Sequence, residues 1–169
     1  MQTMLIGEHI SRYFVWDAMC SLDYLQSRSD IQPDRIGSYG CSGGGTVTAY
    51  FAALDLRVKA AGVGCYLTSE QQLLVSHGPQ DAEQSIPGFI AAGLDFPDWV
   101  ELFAPKPYAI ISTTEDMFPY AGAKATYEEA KRFYTVLGTA DRLHWIVGPG
   151  GHGNLGPLIG AGGEVSDDR

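Results

Sequence analysis

The sequence predicts an α/β chain: a minimal, mostly parallel sheet of about four strands flanked by helices. Two observations predict it. Short apolar segments alternate with longer segments of helical periodicity, the pattern of parallel strands joined by helical crossovers. Hydrophobic residues make up 45% of the 169 residues and charged residues 18%, enough for a packed core and too apolar for a disordered chain. The length suggests one domain, 1–169. The 21 glycines follow no three-residue period, which excludes a collagen-like chain.

The elements follow in order. From Ile10 to Ser27, Val15, Ala18, Met19, Leu22 and Leu25 share one helical face, with Asp17, Asp23 and Gln26 off it. The run from Ser29 to Asp34 contains Pro33 and breaks that helix. Arg35 to Gly40 reads as a first strand. Three glycines, Gly43 to Gly45, precede a helix from Thr46 to Leu54, where Val47, Tyr50, Phe51 and Leu54 recur at helical spacing. Val58 to Cys65 reads as a second strand that ends in a loop at Tyr66. Residues 70–103 are polar and helical in parts, broken at Pro87 and Pro97. Tyr108 to Ser112 is a third strand. A helix from Thr126 to Leu137 buries Tyr127, Ala130, Phe133, Tyr134 and Leu137. Leu143 to Val147 is a fourth strand, followed from Gly148 by a glycine-rich loop and a polar tail.

Charge narrows the partners. The formal charge of −9 and isoelectric point near 4.7 repel phosphate backbones and anionic lipids, so neither nucleic acid nor a membrane surface is expected. No apolar run approaches the roughly 18–20 residues of a membrane-spanning helix. Met1 to Ile10 lacks the pattern of a secretory signal. Cys20, Cys41 and Cys65 are odd in number and widely spaced, as expected for reduced thiols in a cytoplasmic protein. No Cys/His cluster has zinc spacing, and no metal or cofactor is expected.

In parallel sheets, reactive groups lie at the carboxyl ends of strands. Ser42, Asp116 and His152 stand at three such ends. Gly40-Cys41-Ser42-Gly43-Gly44 matches Gly-x-Ser-x-Gly, set between a strand and a helix as the nucleophile elbow requires. That turn strains the serine backbone and demands small neighbours. Gly43 N–H, next after the serine at a helix N-terminus, would be an oxyanion donor. The competing reading makes Ser42 a helix N-cap. A phosphate loop is disfavoured because no lysine follows the glycines. Cys41, also at the elbow, reads as a small buried residue rather than a second nucleophile.

A serine hydroxyl needs a base, and the base needs a carboxylate to orient it. The order Ser, then Asp or Glu, then His selects among four histidines. His9 precedes the serine, His77 precedes any candidate acid, and His144 lies within the last strand. His152, just past that strand, is the expected base. Asp116 is the expected acid, with Glu115 as runner-up. Asp141 precedes the last strand and lies at its wrong end. Tyr66 and Met117, at strand ends, are candidate walls for an acyl group, together with Phe118; core packing is the equal alternative.

These residues give the chain its resemblance to the α/β-hydrolase superfamily, in the acetyl xylan esterase-like and dienelactone hydrolase-like branch. Tyr13 to Asp17, Leu22 to Leu25, Pro33 to Gly37, Ser42 to Thr46 and Asp55 to Ala60 carry it. So do Asp81 to Gln84, Ile86 to Gly88, Ala104 to Pro107, Asp116 to Pro119 and Gly148 to Gly153. The resemblance implies that Ser42, Asp116 and His152 form a triad, which makes the chain a serine esterase. So short a domain has little surface for a deep pocket, so small, short-chain acyl esters are the expected substrates. The alternatives are a non-catalytic truncated hydrolase-fold interaction module and a peptidase-like serine hydrolase. The resemblance also implies a departure. The elbow strand is usually about the fifth, and here only one helix precedes it. The strands before it, and the loop that supplies the second oxyanion N–H, are missing from the pattern. The elbow strand should then be an open edge, and a homodimer is expected to cover it.

Overall fold

The computed structural model describes residues 2–156. Met1 and the expected polar tail beyond residue 156 lie outside them. Helix α1 (Ile10–Ser27) leads into β1 (Ser38–Cys41), α2 (Gly43–Leu54), β2 (Ala61–Gly64), α3 (Glu70–Ser76) and α4 (Phe96–Phe103). β3 (Tyr108–Glu115), α5 (Tyr120–Val136) and β4 (Leu143–Gly151) complete the order. The four strands pair in the order β1-β2-β3-β4, all parallel.

Local chemistry sets the boundaries. His9 caps α1, its Nδ1 accepting Ser11 N–H. Pro33–Arg35 forms a short 3₁₀ turn, so β1 starts three residues later than the sequence suggests. Asp95 and Asp98 form a reciprocal capping box at the start of α4, with Pro97 in its first turn where a missing N–H costs nothing. Helix α5 starts six residues before the expected Thr126, directly after Pro119.

The register fixes what each face of the sheet presents. Ser38, Ala61, Tyr108 and Leu143 lie in one row, and Gly40, Val63, Ile110 and Trp145 in another, two residues on. These rows face α1, α2, α4 and α5, whose Val15, Leu22, Tyr50, Phe51, Val100, Phe103, Ala130 and Tyr134 close the main core with them. The alternate rows point the other way. Cys41, Ala109, Ile111 and Ile146 form a smaller cluster there with Cys65 and Leu155. On that side Tyr39 is 51% exposed and His144 is exposed. Arg57 ties the loop after α2 to α1: its guanidinium meets Asp55 at 2.7 Å and also pairs with Asp23.

β3 and β4 outrun their neighbours. β1 and β2 end at Cys41 and Gly64, opposite Ile111 and Ile146, whereas β3 continues to Glu115 and β4 to Gly151. The expected loop at Gly148 is therefore strand. The reason is that β3 offers ladder partners as far as Glu115. β4 is an edge strand, where Pro149, lacking an N–H, is tolerated. No helix among the described residues is long and apolar enough to cross a membrane.

Candidate active site

One residue connects β1 to α2, and that residue is Ser42. Its φ of 58° and ψ of −124° lie where a side chain is costly, a conformation held by the packing around it. The packing explains the glycines. A β-carbon on Gly40 would sit 2.1 Å from Gly44 O, and one on Gly45 would sit 2.7 Å from Gly64 O and 3.0 Å from the Tyr66 β-carbon. A β-carbon on Gly44 would meet nothing within 4 Å. The crowding thus falls on Gly45, next to the motif, rather than on the motif's second glycine.

Ser42 occupies the N-cap position of α2, yet its side chain makes no capping bond. Its Oγ lies 2.8 Å from His152 Nε2. On the other side of the ring, Nδ1 lies 2.8 Å from Asp116 Oδ1. A carboxylate at Nδ1 fixes the tautomer: Nδ1–H donates to Asp116, and Nε2 is left to accept the serine proton. The Asp116 side chain is 2% exposed and that of His152 is 30% exposed. Phe118 N–H donates to Asp116 Oδ1 at 3.0 Å, and the Thr113 hydroxyl lies 3.2 Å from both Asp116 Oδ2 and Gly151 O. The Phe118 ring packs against the imidazole, centroids 5.8 Å apart.

The strand overhang carries the acid and the base. Thr113 pairs with Gly148 and Glu115 with Gly151, so β4 holds one more residue than β3 across this step. Such a bulge re-aims whatever follows it. Gly150 supplies the left-handed backbone, with φ at 104°. His152 follows directly and turns back over the sheet to Ser42.

The first intrahelical bond of α2 runs from Thr46 N–H to Ser42 O. Gly43 and Gly44 N–H precede it, at the positive end of the helix dipole. A cavity of about 440 Å³ opens beside these two glycines, between Phe14, Asp17 and Ser21 of α1, Val47 of α2 and Glu83. A larger cavity, about 740 Å³, runs along α1 past Trp16, Tyr50 and Trp99; neither cavity is lined by Ser42, Asp116 or His152.

The other sequence candidates separate. Glu115 is exposed at the end of β3. Met117 is 39% exposed beside Asp116. Tyr66, expected at an acyl wall, is 2% exposed: it packs against Phe96 and Phe118, and its hydroxyl is 2.9 Å from that of Tyr50. Burial drives its pKa well above the usual tyrosine value. Cys41 is half-buried on the smaller face of the sheet. His9 caps α1 and His77 ends α3.

Two contributors escaped the sequence reading. Thr113 is one of two adjacent threonines in a strand and looks like sheet packing. Cys65 lies at the end of β2, with its sulfur 3.4 Å from Gly153 N. The rule that picks Ser42, Asp116 and His152, chemistry at strand carboxyl ends, points equally to Cys65.

No family model matches the chain. Among solved structures, "Methylesterase BT1017" superposes with a TM-score of 0.70 at 29% identity, covering 86% of this chain and 32% of that one. A protein of Bacteroides fragilis NCTC 9343 named as an acetyl xylan esterase gives 0.72 at 20% identity over 85% of this chain and 37% of that one. A glucuronoyl esterase from Caldicellulosiruptor kristjansonii gives 0.72 at 17% over 86% and 46%. The chain shares the α/β-hydrolase fold of these esterases. Among curated proteins, this chain is 30% identical over 157 residues to YtaP of Bacillus subtilis (strain 168), a hydrolase by name. The match takes in 89% of this chain and 51% of YtaP, so the chain spans about half the length of the curated relative.

Proposed function

We propose that this chain is a serine carboxylesterase that hydrolyses small, short-chain acyl esters through an acyl-enzyme. One observation carries the reading. Ser42 sits on a strained turn, free of any capping role, 2.8 Å from an imidazole whose far nitrogen meets a buried carboxylate. In the proposed reaction His152 Nε2 takes the serine proton as Oγ attacks the ester carbonyl. Asp116 stabilises the imidazolium that forms. The oxyanion develops against Gly43 N–H at the start of α2. His152 then returns its proton to the leaving alkoxide, and water, activated by the same nitrogen, cleaves the acyl-enzyme. The esterase names among the structural neighbours favour an ester over an amide substrate. The 440 Å³ cavity beside Gly43 is open and of modest size, which suits a short acyl or alcohol group.

The test is covalent. Incubation with a fluorophosphonate probe followed by intact mass measurement should show one adduct per chain, absent from Ser42→Ala. That variant should also lose about 10⁴- to 10⁶-fold in kcat on p-nitrophenyl acetate. An unlabelled wild-type chain, or an active Ser42→Ala variant, refutes the reading.

A further inference from the structure

Cys65 lies one residue past the end of β2, in the same row of strand ends as Ser42, Asp116 and His152. Its backbone has φ 49°, a left-handed conformation that a β-carbon makes costly. The residue is 2% exposed. Its sulfur accepts Gly153 N–H at 3.4 Å, directly after the histidine. Donor atoms of Cys65, Asp116 and His152 all lie within 4.8 Å of one another. One strained, buried side chain therefore lies beside the acid and is bonded to the backbone that follows the base.

We infer that Cys65 is a positioning residue of this site: its thiol joins the Asp116 carboxylate to the His152–Gly153 turn and holds the two in register. The inference rests on the serine hydrolase reading of the triad.

Counting donors supports it. Asp116 Oδ1 faces His152 Nδ1–H and Phe118 N–H. Oδ2 faces the Thr113 hydroxyl, which also faces Gly151 O and has a single proton to give. Whenever Thr113 donates to Gly151, Oδ2 lacks that donor in a site nearly closed to water. The Cys65 thiol, its sulfur within 4.8 Å of that carboxylate, stands beside it as the alternative donor. Burial, followed by the neighbouring Asp116 carboxylate, pushes the thiol pKa up to about 12, so the group remains a thiol rather than becoming a competing anion. The same facts exclude a nucleophilic role, which needs an exposed thiol with a lowered pKa. A thiol is a weak donor, so it steadies Asp116 without taking its charge away from His152. At its other face the sulfur accepts an N–H from a turn that two left-handed glycines, Gly150 and Gly153, leave free to swing.

Two variants test this. Cys65→Gly removes the thiol at a backbone angle that glycine prefers, so the fold is retained. Cys65→Ser keeps a hydroxyl that can donate to Asp116 and accept from Gly153. Three readouts apply: the downfield proton resonance of His152 Nδ1–H, kcat and KM on p-nitrophenyl acetate, and the thermal midpoint. Cys65→Gly should shift or broaden the resonance and lower kcat about ten- to a hundredfold, with KM changed by less than about twofold. Cys65→Ser should restore the resonance and bring kcat to within about threefold of wild type. Unchanged resonance and kcat in folded Cys65→Gly overturn the inference. So does an equal loss in the Gly and Ser variants. The resonance needs no turnover, which separates the two claims. A wild-type chain without esterase activity whose resonance still moves in Cys65→Gly defeats the esterase reading and leaves the positioning role standing. An active chain indifferent to Cys65→Gly defeats the positioning role alone.

Discussion

Gly44 and Gly45 are neighbours in the turn and carry opposite expectations. In Gly45→Ala the new β-carbon meets Gly64 O at 2.7 Å, about 0.7 Å inside ordinary contact, and the Tyr66 β-carbon at 3.0 Å. Neither can yield cheaply. Gly64 O accepts Ser42 N–H at 2.9 Å, and Tyr66 is locked in the core. The start of α2 must move instead. Overpacking of this kind costs about 1–3 kcal/mol. Alanine's advantage over glycine within a helix returns at most about 1 kcal/mol, and less in a first turn. A net loss of about 1–2 kcal/mol lowers the melting temperature by about 2–8 °C in a chain of this size. Gly44→Ala adds its carbon to open space and should leave the midpoint unchanged or raise it slightly. Thermal melts and urea titrations of both variants, followed by circular dichroism, measure the contrast. Activity adds a second axis, since moving the start of α2 moves Gly43 N–H relative to Ser42 Oγ. Gly45→Ala should therefore lose kcat at temperatures where it is fully folded. Equal losses in the two variants, or a larger loss in Gly44→Ala, would refute the packing argument.

Asp116→Asn should leave the melt unchanged and lower kcat by about 10⁴-fold, because an amide no longer enforces the Nδ1–H tautomer; a loss under tenfold, read by steady-state kinetics, points to another acid. The Arg57 guanidinium holds the Asp55 carboxyl below its ordinary value of 3.8, so the pair stabilises the fold above that pH and the benefit disappears as pH falls through the lowered value. Arg57→Gln should thus be less stable than wild type at pH 7 in urea titrations, with the gap closing as pH falls below the ordinary carboxyl value of 3.8. The exposed edge of β1, with Tyr39 half in solvent, is proposed to pair with a second copy of the chain. Sedimentation equilibrium should then give about twice 18.2 kDa, and a stable, active monomer would end that proposal.

The alternation of elements and the carboxyl-end rule made the sheet and the residues of the site legible, because both depend on order along the chain. Ser42, Asp116 and His152 each follow a strand by one or a few residues, and that spacing is visible without coordinates. What stayed hidden depends on partners far away in sequence. Gly148 to Gly151 resembles a loop until β3 is seen to run beside it. Tyr66 looks like a wall of the site at a strand end, and only the rings of Phe96, Phe118 and Tyr50 reveal it as core. Gly44 and Gly45 are the same letter, and the difference between them is the position of Gly64 O. Cys65 gave no signal in composition, since its meaning is a contact with Gly153, 88 residues on.

The overhang of β3 and β4 separates the endurance of the fold from that of the site. Beyond Ile111 and Ile146 these strands have, among the described residues, only each other as ladder partners, over roughly 13 Å at ordinary strand rise. A two-stranded ribbon is marginal in water, whereas the four-stranded block beneath it is braced by four helices. The ribbon can fray while the block stands, and amide protons from residues 112 to 115 and 148 to 151 should exchange through such partial openings. Fraying carries Asp116 and His152 away from Ser42 together. A preparation of this protein can therefore show native circular dichroism and a native melt while Ser42, Asp116 and His152 stand apart, so the lifetime of the assembled site is set by eight residues rather than by the whole chain.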